Sequence, residues 1–155
     1  MQYHSEFNHH QRPLRDRTPW HVAETTGDDR VVPIFRAYAA LREQLVPYLA
    51  AQARHTISTD RPLLRPLFFD HTDDPEIWNH PYQYLLGDDL LVNPVLEPGA
   101  TTWTTYLPAG TWYDAWTGKL AHPGLITREV PLDVIPVYTR PPALNLSDGR
   151  TDLHK

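Results

Sequence analysis

Apolar and polar positions alternate in three different ways along this chain. Residues 1–27 show no period: they are polar, rich in His and Arg, and broken by Pro13 and Pro19, which predicts a long loop. Ile34, Tyr38, Leu41, Leu45, Tyr48 and Leu49 then recur at steps of three and four, the signature of one apolar helix face. That spacing predicts a helix over roughly 31–54, capped by Asp28 or Asp29 and with Pro33 in its first turn, where a missing N–H forfeits no intrahelical bond. Pro47 cannot bond the carbonyl of Glu43, which predicts a kink costing about 3 kcal/mol in an isolated helix. Leu63, Leu64, Leu67, Phe68 and Phe69 predict a buried strand over 63–69, despite two prolines, and 71–81 reads as a turn-rich connection.

From Tyr82 onward the pattern changes to short strands separated by turn signals, the pattern of an all-β sandwich. Strands are predicted over 90–96, 101–107, 111–116, 125–130 and 134–139. Pro108-Ala-Gly110 reads as a turn joining 101–107 and 111–116 into a hairpin, and Thr117-Gly-Lys119 as the next turn. Beyond Arg140 the chain is Pro-rich, then polar and without period, which predicts a frayed tail.

The 155 residues suffice for one ordinary domain or two small ones, and 41% hydrophobic with 21% charged is a globular composition. Sixteen prolines favour short elements and many turns. A net charge of −5 without a basic stripe argues against nucleic acid as a partner, and no long apolar run suggests a membrane span. The absence of cysteine excludes disulfides, thiol catalysis and Cys-bound zinc, and fits a reducing compartment such as the cytoplasm; Met1 opens no signal-peptide pattern. Nine histidines raise the question of a metal, but His9 and His10 are adjacent and tend to point apart, and no His-Glu-x-x-His pattern occurs. Neither a metal site nor any other cofactor is predicted. No Gly-x-Ser-x-Gly elbow or Walker-type phosphate loop is present.

Four segments, in this order, resemble glycoside hydrolase family 31, the α-glucosidases and α-xylosidases. Arg65-Pro-Leu-Phe-Phe69 resembles the family's last barrel strand, and Tyr84-Leu-Leu-Gly-Asp-Asp-Leu-Leu-Val-Asn-Pro-Val95 the lead-in to its proximal C-terminal sandwich. Tyr106-Leu-Pro-Ala-Gly-Thr-Trp-Tyr-Asp114 with Trp116-Thr-Gly118 resembles that sandwich's hairpin, and Pro131-Leu-Asp-Val-Ile-Pro-Val-Tyr138 the strand that follows. The resemblance implies an α+β fragment: the last helix–strand unit of a (β/α)8 barrel in residues 1–81, the proximal all-β sandwich in 82–140, and a tail in 141–155. Met1-Gln-Tyr-His4 resembles the family's substrate-binding histidine segment, which implies that His4 would hydrogen-bond a sugar hydroxyl; taken alone, His4 reads as a solvated residue. Thr139-Arg-Pro-Pro142 departs from the family, which continues here with a further apolar strand.

Cleaving a glycosidic bond with retention needs two carboxyl groups facing each other across it, about 5–5.5 Å apart. The resemblance implies that both lie on barrel strands earlier than this chain. Asp70, at the end of a barrel-like strand, reads as a turn cap; Asp88 and Asp89 read as turn residues, and neither Asp114 nor Asp133 is assigned a catalytic role. Three readings follow. The chain is a C-terminal piece of an α-glycoside hydrolase, inactive alone, whose parent acts on an α-linked oligosaccharide. Alternatively, it is a sugar-binding sandwich using exposed Trp103, Trp112 or Trp116, or an association subunit that completes a split barrel.

Overall fold

The computed structural model describes residues 18–141 and Leu146. It is a mixed helix-and-sheet structure whose strand pairings are all antiparallel. The chain divides into two compact units between Val46 and Pro47, within a helix. Each is taken by itself.

In the first unit, α1 spans Pro19–Thr26, where the sequence predicted loop. Its signals were present: proline stands at the first helical position, and Gly27 closes the helix in the left-handed conformation at φ 66°. Helix α2 spans Val31–Thr59, one turn or more longer than predicted, and it continues through Pro47. Asp28 takes the expected place before it: its Oδ1 accepts the backbone N–H of Arg30 at 3.0 Å. The Arg30 guanidinium pairs with the same carboxylate at 2.8 Å, and these bonds hold the Asp28 pKa down at about 2. Within this unit Tyr38 and Leu41 are buried, on the face the periodicity marked.

In the second unit, β1 (Leu64–Pro66), β2 (Tyr84–Leu86), β3 (Leu90–Val92), β5 (Trp112–Asp114), β6 (Leu120–Ala121) and β8 (Val137–Thr139) form one sheet, ordered β1-β2-β3-β8-β5-β6. A second sheet pairs β4 (Thr102–Leu107) with β7 (Gly124–Glu129). The core cluster draws on both: Leu85, Leu91, Trp112, Ala121 and Tyr138 from the first, Leu107 from the second, with Leu67 and Ile77 from the connections.

Several expectations are corrected. The strand predicted over 63–69 ends at Pro66, and Leu67–Phe69 turns into a 3-10 helix, because the N–H groups of Asp70 and His71 both bond back to Leu67 O. The strand that remains, β1, pairs with β2, Arg65 opposite Leu85. The predicted hairpin between 101–107 and 111–116 does not form. After Leu107 the chain crosses from one sheet to the other, so β4 pairs with β7 and β5 with β6 and β8. Pro108 is a buried corner whose carbonyl accepts the Trp112 indole N–H at 2.9 Å. The turn at Thr117–Lys119 does close a hairpin, β5–β6, with Gly118 at φ 67°. The predicted strands 90–96 and 134–139 shorten to Leu90–Val92 and Val137–Thr139, each cut by a proline that cannot donate to a ladder. Of the tail, Leu146 is described; it is buried and its N–H bonds Ala115 O at 2.8 Å, so at that point the tail is anchored, not frayed.

Candidate functional site

Two neighbouring arrangements follow β1. The first is ionic. Arg65 points inward from the strand and is 2% exposed. Its guanidinium donates to Pro62 O at 2.9 Å, Asp70 Oδ2 at 3.0 Å, Gly87 O at 3.1 Å and Asp88 Oδ1 at 2.9 Å. Burial works against the charge on Arg65, but the pairs with Asp70 and Asp88 outweigh it, and its pKa rises. Arg61 binds the other Asp70 oxygen, and His55 Nε2 lies 3.4 Å from the second Asp88 oxygen.

The turn carrying Asp88 is held against the second half of α2. Tyr48 donates to Leu86 O at 2.9 Å and accepts the Asp89 N–H at 3.2 Å, and Gln52 Oε1 accepts the Asp88 N–H at 3.2 Å. Burial drives the Tyr48 pKa up to about 12. Gly87, at φ 65°, makes the approach possible: a Cβ there would stand 2.4 Å from the Tyr48 hydroxyl.

This cluster has no free nucleophile among its paired carboxylates. Both oxygens of Asp70 face an arginine, and those of Asp88 face Arg65 and the His55 ring. Asp114 is similarly occupied: Oδ1 accepts the N–H groups of Trp116 and Thr117 at 2.9 Å, and Oδ2 pairs with Arg128 at 2.5 Å. These acids hold turns and strand ends in place. Among the described residues, no group of three or more His, Asp or Glu is placed to hold a metal ion.

The second arrangement is an aromatic shelf in the segment after β1. A 3-10 helix, Pro75–Asn79, begins at Asp74, whose side chain accepts the Glu76 N–H at 3.0 Å. It presents Trp78, 63% exposed, stacked on Phe68 with ring centroids 5.1 Å apart and planes 7° from parallel. The pair borders a small cleft of about 90 Å³ lined by Pro66, Leu67, Ile77, His80, Pro81 and Gln83. Its polar members are already engaged. Gln83 bonds both the N–H and the C=O of Tyr106, at 2.8 and 2.7 Å, while His80 meets Glu76 at 3.2 Å and stacks on the Tyr106 ring at 5.1 Å. The Tyr106 hydroxyl donates to Asp74 at 2.6 Å; that bond, assisted by burial, raises its pKa to about 12.

A profile of the glycosyl hydrolase family 31 C-terminal domain matches residues 60–143, more than half of the chain. The chain belongs to glycosyl hydrolase family 31. The 1,3-alpha-isomaltosidase of Kribbella flavida is 79% identical over 140 residues, covering 90% of this chain and 19% of that protein. The solved cycloalternan-degrading enzyme of Trueperella pyogenes, in complex with cycloalternan, is 60% identical with a TM-score of 0.84, over 90% of this chain and 19% of that one. A solved Kfla1895 mutant in complex with isomaltose is 74% identical with a TM-score of 0.87, over 97% of this chain and 21% of that one. The chain thus spans about a fifth of the length of these family 31 relatives.

Of the residues singled out in the sequence, His4, His9 and His10 lie outside the described residues. Trp112 and Trp116 are buried, not exposed: their indole N–H groups bond Pro108 O and Ile135 O, so neither offers a face to a sugar. Trp103 is half-buried. Among the described residues the exposed aromatics are instead Phe68, Phe69, Trp78 and Tyr82 in the second unit and Trp20 in the first. A signal for the shelf existed, since Asp74-Pro75 is a capping residue followed by a first-turn proline. No helix of the described residues is long and apolar enough to cross a membrane.

Proposed function

We propose that this chain is the C-terminal piece of a retaining α-glycoside hydrolase and has no hydrolytic activity alone. Its residues 1–81 are read as the end of the catalytic barrel, with α2 and β1 as the last helix–strand unit; residues 82–140 are the proximal sandwich, its faces the β3–β8–β5 and β4–β7 sheets. Residues 141–155 form a tail. His4 is the one substrate contact proposed, to a hydroxyl of the reacting sugar ring. No cofactor is required. The substrate class is an α-linked gluco-oligosaccharide of the isomaltose type, the class in the names of the Kribbella relative and the isomaltose complex.

The observation that carries this reading is the commitment of Asp70, Asp88 and Asp114 to cations and backbone N–H groups. A retaining mechanism needs one carboxylate free to attack the anomeric carbon and one free to protonate the leaving oxygen. The roughly four-fifths of the relatives outside this chain's span has room for both. The test has two arms. The purified chain is expected to release no glucose from isomaltose or an aryl α-glucoside. A chimera, in which this chain replaces the aligned 140 residues of the Kribbella protein, is expected to hydrolyse isomaltosides; a folded but inactive chimera contradicts the reading.

A further inference from the structure

Arg140 stands just past β8 and ties its neighbours together. Its backbone N–H bonds Asp89 O at 2.9 Å, and its guanidinium donates to Asp88 O at 3.3 Å. The other terminal nitrogen lies 3.3 Å from Nε2 of His71, which follows the 3-10 turn after β1. The same guanidinium covers the buried Trp112 ring, 4.7 Å from its centroid. One of these contacts dictates a protonation state. An arginine has only donors, so His71 Nε2 accepts, and the imidazole is neutral with its proton on Nδ1. Burial and the neighbouring Arg140 hold the His71 pKa below 6.5, in keeping with that state.

A protonated His71 finds no exchange of partners in its surroundings. The carboxylates of Asp70 and Asp74 favour its charge, but both are engaged: Asp70 with Arg61 and Arg65, Asp74 with the Glu76 N–H and the Tyr106 hydroxyl. On the far side of Arg140, the turn between β2 and β3 brings up Asp88 and Asp89. Asp88 is paired with Arg65 and His55, which leaves Asp89 as the anion that balances Arg140. Burial, with Asp88 beside it, raises the Asp89 pKa, so this carboxylate takes up its proton earlier than a free aspartate as pH falls. Acid thus acts on Arg140 from both sides in one direction. It turns the acceptor into a cation, and it removes a counter-charge.

We infer that His71 and Arg140 form an acid-sensitive latch: a proton on His71 Nε2 breaks their hydrogen bond, sets cation against cation, and frees the Arg140 guanidinium from the Trp112 ring together with the end of β8. The latch is closed at neutral pH and opens as pH falls below 6.5, through the folded pKa of His71. It belongs to this chain's own packing and stands whether or not the proposed function holds.

Nuclear magnetic resonance on the full chain tests it, following the His71 ring, the Trp112 indole N–H and the Arg140 amide from about pH 7.5 to about pH 5. At the neutral end His71 is expected as the Nδ1–H tautomer. The Trp112 indole signal should then move with the His71 midpoint. Over the same step the Arg140 amide, corrected for intrinsic exchange, should lose at least about tenfold in protection, while the β2–β3 amides keep theirs. His71→Gln retains an acceptor that does not titrate, and should hold the Trp112 and Arg140 signals steady. Arg140→Gln should move the His71 pKa up toward 6.5. An Nε2–H tautomer at neutral pH, Trp112 and Arg140 signals that ignore the His71 midpoint, or an acid response that survives in His71→Gln would each overturn the latch. The tautomer and the shared midpoint of the unmodified chain decide the matter even where a variant fails to fold.

Discussion

Trp112 and Trp78 lie 34 positions apart in sequence and in opposite circumstances. Trp112 is fully buried: its N–H is bonded to Pro108 O and the Arg140 guanidinium lies 4.7 Å from its ring centroid. Trp78 is 63% exposed and touches chiefly one other ring. The region around Trp112 supplies its own cover from two sheets. The region around Trp78 does not, although it has the same aromatic chemistry. The difference separates a part of this family 31 chain that is covered by its own residues from a part whose aromatic faces stand exposed.

Mutation breaks or sharpens that contrast. Trp112→Ala should cost about 3–5 kcal/mol in urea denaturation, the cost of an unfilled buried aromatic site, and abolish folding near 37 °C. Trp78→Ala should cost no more than about 1.5 kcal/mol, the worth of one stacked pair. Equal losses would erase the distinction. Arg65→Met should destabilise by about 3–5 kcal/mol, since it leaves the Asp70 carboxylate with Arg61 alone and uncovers Gly87 O. Replacing Asp70 and Asp88 by Asn as well should recover part of that loss, which a double-mutant cycle would measure.

Gly87→Ala should cost about 1–3 kcal/mol, from left-handed strain and the blocked approach of Tyr48. Tyr48→Phe in that background should return part of it. The smallest effect is in the pH profile. Tyr48 and Tyr106 have folded pKa values of about 12 against 10.0 for the free side chain, so the folded state holds protons that the unfolded state releases in this window. Their stability contribution is complete below pH 10, falls as pH rises from about 10 to 12, and is reduced in Tyr106→Phe. For His71 the sign is opposite in effect: burial and Arg140 lower its pKa from 6.5, so stability falls as pH drops below about 6.5.

Several elements were legible because local rules decide them. Helix α2 followed from its three-and-four spacing, the β5–β6 turn from Thr117-Gly118, and the turn character of Asp88 and Asp89 from Gly87. The family was readable from four ordered segments. What was misread depended on partners far away in sequence. Pro108-Ala-Gly110 looks the same whether it folds a hairpin or turns a corner between sheets, and strand alternation does not say which sheet a strand joins. Trp112 and Trp116, which only the alternative sugar-binding reading took as exposed, are core, because an alternating aromatic pattern does not say which face is covered. Phe68 and Phe69 read as buried strand, yet the 3-10 turn after Pro66 carries both outward. Two helices were missed against their own local signals: α1, with Pro19 and Gly27, and the 3-10 helix that opens at Asp74-Pro75.

The central claim is that this chain supplies family 31 structure without the reacting carboxylates. The most direct measurement is intact-mass spectrometry after incubation with a fluorinated α-glucosyl fluoride, which traps the nucleophile of a retaining glycosidase as a covalent adduct. The account predicts no adduct on the isolated chain, and in the chimera one adduct on a peptide outside these 155 residues. A glycosyl adduct on any Asp or Glu of this chain would contradict it.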